Sequence, residues 1–267
     1  EAAASVQASL AAGFRHIDHH PLTVGDNGFQ IIDVNNSSSL VAVGSGQDER
    51  ADTDGNKFTE LDGASGVATF VINDTNFAIV ASFRDHGVQL VDLSDPTNPL
   101  AVGAATDGSN RNLTMLKGAK SVATFTIEDG TFAIVASKKD NGVQIIDVSD
   151  PSTPKAVGAA AKGDEFPSLA GPNGVDTFVS GDSTYALVVG KGGVQLIDVS
   201  VPSSPVGREE CGRWTGRLSY KKICDRLLYV TTIYCGRASG LSKLPPSPTT
   251  NQRACIGRDR HTQQAAV

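Results

Sequence analysis

Residues 66–108 alternate short apolar runs with clusters of turn-forming residues, a pattern of strands and not of helices. Val67–Ile72, Phe77–Ser82, Val88–Ser94 and Leu100–Ala105 are rich in Val, Ile, Thr and Phe and are predicted as four strands, a to d. Asn73-Asp74-Thr75-Asn76 forms the a–b turn and Asp85-His86-Gly87 the b–c turn. The c–d turn, Ser94 to Pro99, holds two prolines that fix φ and remove donors a strand would need. Nowhere in the body of the chain is a helical period sustained.

The same pattern recurs. Residues 66–108 and 121–163 align without a gap and match at 27 of 43 positions. A third copy begins at Gly174, and a partial copy from Asp26 keeps only the second half. The glycine that opens the Gly-Val/Phe-Gln segment falls at Gly28, Gly87, Gly142 and Gly193, at spacings of 59, 55 and 51 residues. Four antiparallel strands per unit at such a period predict the blades of a β-propeller. The expected fold is therefore all-β, a propeller-like array of four-stranded antiparallel blades. Three blades are near-complete, and another is represented by strands c and d alone.

The segments FAIVAS…DHGVQLVDLSDPTNP, FAIVAS…DNGVQIIDVSDPSTP and YALVVG…GGVQLIDVSVPSSP resemble LVIVD repeats. The resemblance covers roughly residues 26–207. It implies a β-propeller of the kind found in surface and secreted proteins, and it brings no catalytic residues with it. The chain departs from the pattern at Asn35-Asn36-Ser37, in place of Ser-Asp-Pro, and at Val201, in place of Asp.

Charge divides the chain further. Residues 1–207 hold 12 Lys and Arg against 25 Asp and Glu, a balance of −13, whereas residues 208–267 hold 11 against 4, a balance of +7. All four cysteines, Cys211, Cys224, Cys235 and Cys255, fall in the second part. The expected division is a non-repeat segment 1–25, repeats over 26–207, and a basic, cysteine-containing tail over 208–267. The last copy breaks off near Gly207, inside strand d. Either the tail closes a four-bladed ring, with Arg226–Tyr234 pairing beside Phe29–Val34, or it is foreign to an incomplete ring. The abrupt change in charge, cysteine and repeat content favours the second. An acidic body repels nucleic-acid phosphates. No apolar run approaches the ~20 residues of a membrane-spanning helix. Residues 1–12 lack the basic start of a signal peptide.

Strand alternation puts the b–c turns and the long d–a connections on one face, where a rigid scaffold carries binding sites. The b–c turns supply Arg84, Asp85 and His86 in one blade, Lys138, Lys139 and Asp140 in the next, and Lys191 in the third. Charged loop tips are ordinarily just solvated, and these residues are singled out because their loops gather on one face. Asp52, Asp54 and Asn56, followed by Glu60 and Asp62, offer alternating oxygens that suit calcium. However, Gly55 and Gly63 stand where an EF-hand spacing does not want them, and an acidic turn is the simpler reading. His16-Ile17-Asp18-His19-His20 has zinc-type ligands but lacks the first His of a hydrolase pattern. Gly13–Asp18 is similar to a signature stretch of aldo-keto reductases, yet no Tyr follows and the repeats exclude that barrel. Asp92, Asp147 and Asp198 recur in strand c and are expected to bond backbone at the strand end. No residue is expected to be catalytic and no cofactor is required. The expected function is a non-enzymatic scaffold for a protein or glycan at the cell surface or outside the cell. A metal-dependent propeller hydrolase, or a fragment of a larger repeat protein, is the alternative.

Overall fold

The computed structural model describes residues 22–35, 38–109 and 113–212. All of them lie in the unit Glu1–Leu218, the chain's other unit being Ser219–Val267. The described residues form fifteen strands and no helix, so none of them makes a helix long and apolar enough to cross a membrane.

The strands fall into four antiparallel meanders. The first blade is β1 (Leu22–Gly25), β2 (Gly28–Asp33) and β3 (Val41–Gln47). The second is β4 (Ala64–Ile72), β5 (Thr75–Ser82), β6 (Gly87–Asp92) and β7 (Leu100–Thr106). The third is β8 (Ala119–Ile127), β9 (Gly130–Ser137), β10 (Gly142–Asp147) and β11 (Lys155–Ala161). The fourth is β12 (Pro172–Ser180), β13 (Ser183–Gly190), β14 (Gly193–Asp198) and β15 (Val206–Gly212).

Three boundaries differ from the pattern. The first blade has a b strand as well as c and d, because Leu22–Gly25 pairs with Phe29 and its neighbours and turns Leu22 and Val24 toward the core. Strand a starts at Ala64, where a bulge before Gly66 lets Ala64 pair with Ser82. Strand β15 runs to Gly212, past the break expected near Gly207, because a ladder needs only backbone groups.

Blades pack face to face, and each junction has its own core. Ile79 and Leu90 meet Val135 and Ile146 between the second and third blades, while Ile134 and Ile145 meet Val188 and Ile197 between the third and fourth. Phe29 and Ile31 meet Val80 and Val91 between the first and second. A middle blade is covered on both faces, so its b strand is an unbroken apolar run, Phe-Ala-Ile-Val-Ala. In the fourth blade the onward face is only half-buried at Leu187, Val194 and Leu196, although the matching Ile134, Val143 and Ile145 are wholly buried.

Two recurring devices set the blades against each other. In strand d an added Cβ at Gly103 would overlap the Pro151 carbonyl of the next blade, and one at Gly158 would overlap that of Pro202. The c–d prolines and the strand-d glycine are thus the two halves of one contact. The buried glutamine of strand c is the second device. Gln89 Nε2 donates to the Gly103 carbonyl (2.8 Å), and its Oε1 accepts from the amides of Thr59 (3.0 Å) and Glu60 (3.3 Å), clamping the d–a connection to the sheet. Gln144 repeats the first bond and Gln195 the second. At the other end of strand c, Asp92, Asp147 and Asp198 accept from the amides of Ser94, Ser149 and Ser200, bonding backbone at the strand end.

Candidate functional site

The d–a connections are ordered by a sequence element that recurs: an apolar residue, two variable ones, Leu, one variable residue and Gly. It reads Phe58 to Leu61 to Gly63, Leu113 to Leu116 to Gly118, and Phe166 to Leu169 to Gly171. Both apolar side chains are buried at every copy, at a blade junction. Each Gly has positive φ, the left-handed conformation glycine adopts without Cβ strain. The sequence carries this signal, but with only two apolar residues and a glycine kept, it hides beside the long strand repeats.

Backbone bonds then stitch the end of strand b to this element. The amides of Phe83 and Lys138 donate to the carbonyls of Gly63 and Gly118, and Lys191 donates to Gly171. The b–c turns and the d–a connections therefore form one continuous face, as strand alternation predicts.

On that face the acidic side chains are engaged with backbone. Asp85 Oδ2 accepts from the Asp62 amide at 2.6 Å, and Asp140 Oδ2 from the Lys117 amide at 2.8 Å. Burial raises the pKa of both carboxyls, against the lowering effect of those bonds, with Asp48 beside Asp85 and Asp107 beside Asp140 adding to the rise. Asp48 and Asp107 accept from the amides of Leu61 and Leu116. These carboxylates hold the connections in place.

The basic side chains are arranged differently. The Arg84 stem crosses Gly63, Lys139 crosses Gly118, and Lys191 crosses Gly171. A Cβ at Gly118 would come 2.8 Å from Lys139 Cγ, so the glycine makes the floor on which the lysine lies. The fourth blade's b–c turn is shorter, yet it still delivers a lysine to the same place. Arg84 is neutralised by Asp62 (2.9 Å). Lys138 is half-buried at the position held by Phe83 in the second blade. Lys139 Nζ lies 4.7 Å from the Phe83 ring centre and 3.4 Å from His86 Nε2. His86 sits at φ 61°, with Nδ1 2.9 Å from the Phe83 carbonyl and 3.3 Å from the Gly118 amide nitrogen, so its tautomer selects between them. Phe83 and Lys120, whose Nζ is 5.8 Å from the same ring centre, join the site although no charge or repeat pattern pointed to them.

The acidic stretch before the second blade is spread over three separate tasks. Asp52 Oδ1 accepts from the amides of Asp54 and Asn56, and its Oδ2 from the Ala101 amide at 2.8 Å, tacking the loop to β7. Asp62 faces Arg84, and Glu60 turns inward to Thr106. Among the described residues no three Asp, Glu, His or Cys side chains are grouped so as to hold a metal ion. The His16–His20 cluster and the segment Arg226–Tyr234 lie outside the described residues. Glu60 is buried, with Oε1 accepting from Thr106 Oγ1 (2.5 Å) and Oε2 pressed toward Gly87. Loss of solvation lifts its pKa to about 7, and the Thr106 bond offsets part of that.

The described fold is similar to that of a putative 6-phosphogluconolactonase from Bacteroides uniformis, at a TM-score of 0.50 and 14% identity over 74% of this chain and 56% of that one. A protein from Lactobacillus plantarum gives 0.47 and 12%, over 72% and 53%, and the Bombyx mori GH32 β-fructofuranosidase BmSUC1 gives 0.47 and 11%, over 76% and 49%. The chain spans about half the length of these three structures, and at 14% identity the first speaks for the propeller-type fold alone. The sequence matches no curated protein. The model of the LVIVD repeat matches residues 22–48, 66–107, 129–161 and 175–211. Those four matches take in all four blades and just over half of the sequence, and the chain belongs to the LVIVD repeat family.

Proposed function

We propose that this chain is a non-enzymatic propeller-type scaffold that binds a protein or glycan through the face carrying its b–c turns and d–a connections. We place it at the cell surface or outside the cell, the setting that the family resemblance implies. The observation that carries this reading is the row of basic side chains Arg84, Lys139 and Lys191, each lying across a glycine of its own connection. A side chain held by packing loses less freedom on binding than a free one, which favours affinity. The Asp85 and Asp140 carboxylates are bonded to backbone and Asp62 is paired with Arg84, which leaves Lys139 and Lys191 as the cations most open to a ligand.

An array of immobilised glycans and extracellular proteins, probed with the full chain, tests the proposal. The chain is expected to retain one ligand class, to lose it when Arg84, Lys139 and Lys191 are all changed to Glu, and to return the ligand chemically unchanged. Retention that survives the triple change, or conversion of the ligand to a product, contradicts it.

A further inference from the structure

We infer that the junction of the second and third blades holds an oxyanion-binding site, built from Lys139, Lys120 and Phe83, that takes the carboxylate or sulfate of an acidic glycan. The inference rests on the loop face being the binding face and adds the chemical class of the ligand.

The blades act as controls for one another. In the second blade Arg84 crosses its glycine and is neutralised by Asp62, one residue before that glycine. In the third blade the residue before Gly118 is Lys117, whose ammonium is 3.6 Å from Asp107. The acid that would neutralise Lys139 is thus replaced by a second cation. Among the described residues, no carboxylate lies within ion-pair distance of Lys139 or Lys120. Lys139 is nevertheless held in place: its stem is on Gly118, its ammonium is over Phe83, and His86 Nε2 is 3.4 Å away. Lys120 brings a second ammonium to the same ring. Two like charges beside one ring repel each other, and an anion within reach of both relieves that repulsion. This convergence occurs in a body whose residues 1–207 carry a balance of −13, so it is local and not a general excess of positive charge.

The composition of the junction favours a glycan over other polyanions. Phe83 stands where the third blade has Lys138, and its half-buried ring puts apolar surface beside the two ammoniums, a mixture that suits a charged sugar. An ammonium is a point charge that accepts carboxylate or sulfate in many orientations. A continuous phosphate chain would run from this site onto the acidic body.

Calorimetric titration of the full chain with oligogalacturonate, heparin-derived oligosaccharide, poly-glutamate and a neutral maltooligosaccharide tests the site. Oligogalacturonate or the heparin fragment is expected to bind, either result supporting the site and naming the group. Affinity should fall with added salt. Lys139→Met and Lys120→Met should each weaken binding about fivefold to tenfold. Lys117→Asp, which rebuilds the second blade's ion pair in the third, should weaken it at least as much, whereas Lys117→Gln, which loses the Asp107 pair without adding an acid, should not. The site is overturned if the neutral sugar binds as well as the charged ones. It is also overturned if poly-glutamate binds more tightly than either glycan, or if Lys120→Met and Lys117→Asp both leave affinity unchanged. If no anionic probe binds and another ligand is still lost on the Arg84, Lys139, Lys191 change, the oxyanion site fails and the loop-face reading stands.

Discussion

Glu60 occupies the position that Met115 holds in the next blade and Ser168 in the one after. A carboxylate there is costly because burial strips it of water, and its pKa rises from 4.5 to about 7. A carboxyl whose pKa is higher folded than unfolded favours the fold while protonated in both states, below about 4.5. That contribution is lost as the pH climbs through 7. Glu60→Gln keeps an acceptor for Thr106 and removes the charge. It should raise the melting temperature at pH 8, with a gain that shrinks toward pH 5, as followed by circular dichroism. An equal shift at both pH values would show that burial of the charge is not the cause. At this scale the sequence was legible for residue types and not for their partners. The charged residues of the b–c turns are legible as a loop face, but the partners of Asp85 and Asp140 are not. Their partners are backbone amides 23 residues earlier, which only the folded connection brings near. The same holds for Asp52, whose pattern of alternating oxygens also describes a loop that bonds itself.

Strands b and c of the middle blades read plainly because both of their faces are buried, which leaves no polar alternation to confuse the pattern. The four-residue β1 was not legible: Leu22–Gly25 is short and stands without a strand a among the described residues. Ile134 and Leu187 occupy the same place in successive blades, with Ile134 fully buried and Leu187 half-buried. Ile134→Ala should cost about 2–5 kcal/mol, and Leu187→Ala about 1 kcal/mol, the smaller share of a side chain still in contact with water. Urea denaturation of the two variants measures both. Equal losses would mean that Leu187 is covered as completely as Ile134. Gly158→Ala places a methyl against the Pro202 carbonyl and should cost about 1–3 kcal/mol by overpacking. An unchanged urea midpoint for this variant would remove the strand-d glycine from the account of how blades lock.

At the scale of the molecule, the described residues form four blades whose two kinds of edge are treated differently by the sequence. On one edge, the a–b and c–d turns vary within the limits of turn chemistry, and the c–d turns contact the preceding blade through Pro151 and Pro202. On the other, buried Leu61, Leu116 and Leu169 anchor the connections, and basic side chains lie above the glycines that follow. A scaffold whose ligand contacts lie along the second edge should leave the first unaffected when it binds. Hydrogen–deuterium exchange of the full chain, with and without a ligand retained from the array, tests this most directly. Slowed exchange confined to residues 58–63, 83–87, 114–120, 138–142, 166–171 and 190–193 is the predicted result. Slowed exchange at the a–b and c–d turns instead, around residues 73–76 and 94–99, would place the ligand on the opposite edge and contradict the account.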